Sequence, residues 1–182
     1  MASYCYYVRD HPEDGFNQKY HDFEYGFPLI EDNLLFERFI LEINQAGLSW
    51  ITILKKKDNF IRVYQGFDID KIAAYGEKEI NRLLLDSGII RNRLKIKAAI
   101  ENAKRIRILR TEFGSFKGWL DAHHPRPLDE WAVLFKATFV FTGREIVREL
   151  LVSTGYLPGA HDEDCPVFKT VASLKPAWAI IK

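Results

Sequence analysis

Between residues 32 and 46, Leu34, Leu35, Phe36, Phe39, Ile40 and Ile43 fall at helical spacing. That spacing predicts a helix with one inward face, with Asp32 placed to cap its start and Gly47 to end it. Ser49 is placed to cap a second helix over 50–57. Asp58 opens a third, with Phe60, Ile61, Val63 and Tyr64 inward and Gly66 closing it. Short helices are expected at 69–75 and 77–86. A long one is expected over 92–112, because Ile96, Ala99, Ile100, Ala103, Ile106 and Ile108 fall largely on one side. Further helices fit 115–122, 128–137 and 143–154. Alternation of period two is scarce, so the expected class is all-α. Both ends of the chain resist a helical reading.

Composition changes this picture little. With 182 residues, 47% of them hydrophobic, the chain is read as one domain, 1–182, with a real core. No apolar run approaches the roughly 18–20 residues of a membrane span. The first residues lack the basic-then-apolar pattern of a signal peptide. A cytoplasmic protein with reduced thiols is expected, and no oligomer is signalled, so it is read as a monomer.

Charge changes the picture more. The net charge is only +1, but Arg91, Arg93, Lys95, Lys97, Lys104, Arg105, Arg107 and Arg110 are opposed between them by Glu101 alone. Lys55, Lys56 and Lys57 form a second cluster. Local basic stripes suit a phosphate backbone, or else a solvated helix face. The stripe begins at a hairpin, Leu83 to Arg93, where Gly88 is expected to supply a positive φ and Ile89 and Ile90 to anchor the turn. The helix that follows would point free amides outward beside Arg91 and Arg93, as phosphate sites do.

Two cysteines each have a histidine partner: Cys5 with His21, and His161 with Cys165. Cys2His2 is a complete tetrahedral set for zinc, with no position left open. Such a site would be structural and would clamp the two chain ends together. Two unrelated buried thiols satisfy the spacing as well.

Three blocks carry a resemblance. They are Tyr20-His21-Asp22-x-Glu24-x-Gly26, Glu42-x-x-Gln45-Ala46-Gly47-Leu48-Ser49-Trp50-Ile51-Thr52-x-Leu54-Lys55-Lys56-Lys57, and Gly88-Ile89-Ile90-Arg91-Asn92-Arg93-x-Lys95-Ile96. In their order and spacing they resemble the 3-methyladenine DNA glycosylase I family of helix-hairpin-helix proteins. The resemblance implies a helix-hairpin-helix glycosylase-like bundle in which Cys5, His21, His161 and Cys165 hold zinc. It implies monofunctional hydrolysis of the N-glycosidic bond of N3-methyladenine in double-stranded alkylated DNA, with free 3-methyladenine as product.

On that reading Glu42 is the catalytic carboxylate, favouring the cationic purine, and Trp50 and Tyr20 are aromatic walls for the flipped base. Gln45 or Leu48 fills the gap left in the duplex, and Gly88, Ile90, Arg91, Arg93 and Lys95 grip the backbone. No Asp lies between Gly88 and Trp119, so no general base is named. Tyr7 and Tyr25 stand where the family usually has tryptophan, and Arg144-Glu145 replace small polar residues. A lesion-sensing module without catalysis, or a glycosylase for a different alkylated purine, are the alternatives.

Overall fold

The computed structural model describes residues 3–180; residues 1, 2, 181 and 182 of the expected domain lie outside the described residues. Twelve α-helices follow one another among them, with no strand: α1 (Tyr4–Asp10), α2 (Gly15–Phe23), α3 (Asp32–Gln45), α4 (Trp50–Leu54), α5 (Lys57–Val63), α6 (Ile69–Ala73), α7 (Glu77–Leu85), α8 (Arg93–Phe113), α9 (Phe116–His123), α10 (Leu128–Thr138), α11 (Arg144–Ser153) and α12 (Pro166–Ser173). None of them is long and apolar enough to cross a membrane.

α3 is the central element. Leu35, Phe36, Phe39, Ile40, Leu41 and Ile43 are all buried, and α4, α6, α8, α9 and α11 pack around them. A helix enclosed on so many sides cannot keep its polar residues in water. Arg38, Glu42 and Asn44 are therefore buried as well. Burial of polar groups normally needs partners. Arg38 finds them around the site described below and Asn44 in its own helix, whereas Glu42 has none among the described residues.

Most of the middle of the chain follows its hydrophobic period, although Leu34 and Ile108 are exposed and the helix expected over 50–57 stops at Leu54 without a side-chain cap from Ser49. Four further expectations are corrected. The chain ends are helical: Ser3 caps α1, its hydroxyl accepting from Tyr6 N, and Asp14 caps α2, accepting from Asn17 N at 3.2 Å. α12 begins with Pro166 in its first turn. These helices are short and hold their shape through neighbours, so period alone does not reveal them.

Asp32 does not cap its own helix. It is the first residue of α3, and its carboxylate accepts from the amides of Phe116 and Lys117, at 2.9 and 3.0 Å, at the start of α9. Arg110 joins the same carboxylate at 3.1 Å, so one side chain ties α3, α8 and α9 together.

Gly88 lies outside the left-handed region. Glycine is required there by close approach instead: a Cβ would meet Asn59 Cγ at 2.8 Å and Asp86 Oδ1 at 2.9 Å. The hairpin is held by Asp86, which accepts from Gly88 N at 2.8 Å, and by Lys56, which donates to Ser87 O at 3.0 Å. Asn92 caps α8, accepting from Leu94 N and Lys95 N.

Lys95 turns inward rather than towards a phosphate. Its ammonium is buried and donates to Asn44 O at 2.8 Å and Ala46 O at 2.7 Å. It satisfies the orphan carbonyls at the end of α3, where a cation also complements the helix dipole.

Candidate active site

A cavity of about 640 Å3 opens between the two ends of the chain and the end of α3. Tyr4 of α1, Tyr20 of α2 and Tyr25 contribute aromatic wall, and Trp50 at the start of α4 lines the cavity beside Tyr20. The Tyr20 and Trp50 ring centroids are 5.1 Å apart and tilted by 58°. Glu42 and Gln45, one turn apart at the end of α3, reach the same space. Leu48 lies outside that lining, exposed on the turn before Ser49.

Glu42 is 3% exposed, and burial pushes its carboxyl up to about 8 from its ordinary 4.5. The charge of Glu149 adds to that rise, the Arg38 guanidinium opposes it, and no hydrogen bond contributes. A nearly enclosed acid without a donor, beside two aromatic faces, is costly to the fold and suits an incoming cation that brings its own donors.

Arg38 precedes Glu42 by one helical turn and was hidden by the apolar run around it. It is 5% exposed and donates to Tyr20 Oη at 2.9 Å, Ser153 O at 3.3 Å and Glu24 Oε2 at 3.4 Å. Its guanidinium carbon stands 4.9 Å from the Tyr20 ring centroid. Since Tyr20 Oη accepts from Arg38, its own proton is left to donate elsewhere. The sequence signal that points to Arg38 is the i, i+4 pair of opposite charges with Glu42 on a helix otherwise apolar at that register.

The other wall of the cavity was largely missed. Glu145, Arg148 and Glu149 of α11 line it together. Tyr25 Oη donates to Glu149 at 3.3 Å, and Arg148 pairs with the same carboxylate. The signal was again a helical one, three charges at i, i+3 and i+4.

Next to the cavity, the four residues expected to hold a metal converge. The ligand-capable atoms of Cys5, His21, His161 and Cys165 all lie within 4.8 Å of one another. His21 Nε2 and His161 Nδ1 are 3.2 Å apart, Cys5 Sγ is 3.3 Å from His21 Nε2 and 3.7 Å from His161 Nδ1, and Cys165 Sγ is 3.7 and 3.9 Å from the same two atoms. A tetrahedron with Zn–S of about 2.3 Å and Zn–N of about 2.0 Å has edges of about 3.3–3.8 Å, so the set has the right size for such an ion.

The outer nitrogens are fixed as metal-bound histidines usually are. His21 Nδ1 faces Asp22 Oδ1 at 2.7 Å, and His161 Nε2 faces Tyr25 O at 2.7 Å. Gly26 sits against this cluster with φ +81°, and a Cβ there would meet Ala160 Cβ at 2.5 Å.

The basic stripe is mostly engaged within the protein. Arg93 pairs with Glu77, Arg105 with Glu101, Arg107 with Asp70, and Arg110 with Asp32 and Asp70. Among the described residues Arg91, Lys97 and Lys104 are exposed and make no ion pair. Arg91 stands on the hairpin before α8 beside half-buried Ile90. Lys57 is drawn inward to Glu24 and Glu37.

A family model described as methyladenine glycosylase matches residues 11–131. The DNA-3-methyladenine glycosylase of Haemophilus influenzae is 34% identical over 166 residues, which covers 81% of this chain and 89% of that protein. DNA-3-methyladenine glycosylase 1 of Escherichia coli is 51% identical over 85 residues, an alignment that spans 47% of this chain and 46% of that protein. Among solved structures, a 3-methyladenine DNA glycosylase I superposes with a TM-score of 0.76 at 33% identity, covering 85% of this chain and 94% of the other. The Staphylococcus aureus 3-methyladenine DNA glycosylase I, solved for its recognition of 3-methyladenine, gives 0.77 at 29% identity, covering 85% and 92%. Sequence blocks, helical architecture and these matches agree, and the chain belongs to the methyladenine glycosylase family.

Proposed function

We propose that this chain is a DNA base-excision repair glycosylase that hydrolyses the N-glycosidic bond of N3-methyladenine in alkylated duplex DNA. The observation that carries the reading is Glu42, a buried carboxylate without a hydrogen-bond donor, facing a cavity walled by Tyr20 and Trp50. The N3-methylated nucleoside is cationic, so its glycosidic bond is weak and its base leaves readily. Glu42 accepts from the exocyclic amine and favours the positive charge, while Tyr20 and Trp50 hold the ring by stacking and cation–π attraction. A neutral adenine gains neither benefit.

The base reaches this pocket by flipping out of the duplex. Gln45 ends α3 and Leu48 stands on the turn that follows, where a side chain can fill the vacated stack. The hairpin between α7 and α8, with Gly88, Ile90, Arg91 and Arg93, grips the backbone as a helix-hairpin-helix does, without reading sequence. In the hydrolysis, water oxygen bonds to C1′ as the C1′–N bond breaks. The bonding pair goes to the purine and cancels its charge, so strong acid catalysis is dispensable. The proton of the attacking water goes to solvent, and with water rather than an amine as nucleophile no lyase step follows.

Cys5, His21, His161 and Cys165 fit zinc by donor type and spacing. The four positions leave no open coordination site, so a bound ion would be structural and would join the chain ends that carry Tyr4, Tyr20 and Tyr25. The protein works as a single-domain monomer in the cytoplasm, where its thiolates stay reduced. Chromatography of bases released from methylated duplex DNA tests the reading. The wild type releases 3-methyladenine, and Glu42→Ala lowers release by at least about 100-fold, as loss of one charge-stabilising group does. Equal release by both proteins removes Glu42 from the mechanism.

A further inference from the structure

The cavity has a second acidic wall that recognition of N3-methyladenine by Glu42 does not use. Glu145, Arg148 and Glu149 share one face of α11, and with Glu42 they place three carboxylates and one guanidinium around the same space. Glu149 is the best fixed of them. Tyr25 Oη donates to its Oε2 and Arg148 to its Oε1, and its side chain is 31% exposed. The phenol hydroxyl of Tyr25 orients Glu149. Tyr25 and Glu145 line the same cavity.

We propose that Glu149 is a specificity-determining residue that reads the N1–H and 2-amino edge of a cationic guanine alkylated at N7, extending the substrate range of this pocket beyond N3-methyladenine. The inference rests on the glycosylase reading above. An ionised carboxylate offers acceptors only, two lone pairs on each oxygen, so Tyr25 and Arg148 leave one on each for a base. Guanine presents two adjacent donors on that edge, N1–H and the 2-amino group. Adenine presents a donor beside the N1 acceptor, which a carboxylate repels.

Alkylation at N7 leaves the donor pair intact and gives the ring a positive charge, which a cavity with surplus carboxylates favours. Alkylation at N3 sets the alkyl group against the 2-amino donor and spoils the match. At about 640 Å3 the cavity is within the range of small-ligand sites and is not confined to one purine shape. The chemistry balances as for the adenine: water adds to C1′, the C1′–N9 pair goes to the purine, and the proton released from water goes to solvent.

The test is chromatography of bases released from methylated duplex DNA by the full-length, metal-loaded protein, corrected with an enzyme-free blank. Glu149→Gln and Tyr25→Phe are run beside the wild type. The first substitution keeps the side chain's shape and replaces an acceptor pair with one acceptor and one donor amide; the second removes only the orienting hydroxyl. The wild type is expected to release 7-methylguanine together with 3-methyladenine. Glu149→Gln is expected to lower the 7-methylguanine to 3-methyladenine ratio by about tenfold, the discrimination of one good edge contact, and Tyr25→Phe to lower it in the same direction by less. Release of 3-methyladenine alone by the wild type, or an equal fall of both bases in Glu149→Gln, overturns the inference while leaving the glycosylase intact. Release of neither base by the wild type overturns the glycosylase reading itself.

Discussion

Glu42 concentrates the tension between folding and function in one side chain. Its folded value of about 8 lies above the ordinary 4.5, so the native protein binds a proton that the unfolded chain releases between those values. The sign follows from linkage: stability is full below about pH 4.5 and falls as pH rises through 8. Glu42→Gln is therefore expected to raise the melting temperature, more at pH 8 than at pH 5, as thermal unfolding at both values will show. Activity runs the other way. The carboxylate that attracts a cation forms only as pH approaches 8, so kcat/KM on N3-methyladenine is expected to rise about tenfold per unit below that value and then level. Glu42→Gln should flatten the profile and weaken binding of free 3-methyladenine; an undiminished slope in that variant would assign the titration to another group. The buried role of Glu42 was hard to read from its neighbours because an acid on an apolar helix is as easily solvent-facing. Arg38, one turn earlier, was the missing clue.

At the scale of elements, the helices of the middle were legible because each buries one face. What they do to each other was not, since a side chain's long-range partner leaves no local pattern. Asp32 read as a cap for α3 and in fact caps α9; Lys95 read as a phosphate contact and in fact closes α3. These placements predict opposite behaviours for two basic residues of the hairpin region. Lys95→Met leaves buried carbonyls of α3 without a donor and is expected to destabilise the fold by about 1–3 kcal/mol, measured by denaturant unfolding. Arg91→Ala is expected to leave stability within about 0.5 kcal/mol and to reduce the slope of log affinity against log salt for duplex DNA by about one. A normal slope in Arg91→Ala would move the backbone grip to other cations, such as Lys97 and Lys104.

For the molecule as a whole, the N- and C-terminal segments form one side of the candidate base cavity and the whole of the candidate metal site. Their helices escaped the periodic reading because α1, α2 and α12 are short, and their order depends on residues brought together from 156 or 144 positions away. That Cys5, His21, His161 and Cys165 form one cluster that could hold a metal was nevertheless legible from residue type. A clamp of this kind predicts that strong chelation, or Cys165→Ser, lowers the melting temperature and loosens the Tyr4, Tyr20 and Tyr25 wall; unchanged stability on metal removal would make the cluster a set of buried polar groups only. The central claim, that Glu42 recognises a cationic methylated base in this cavity, is tested most directly by base release from methylated duplex DNA with the wild type and Glu42→Ala side by side. Release of 3-methyladenine by the wild type, lost in the variant while its fold is retained, is the predicted result. Equal release by the two proteins, or salt-sensitive DNA binding with no base released by either, would contradict the account.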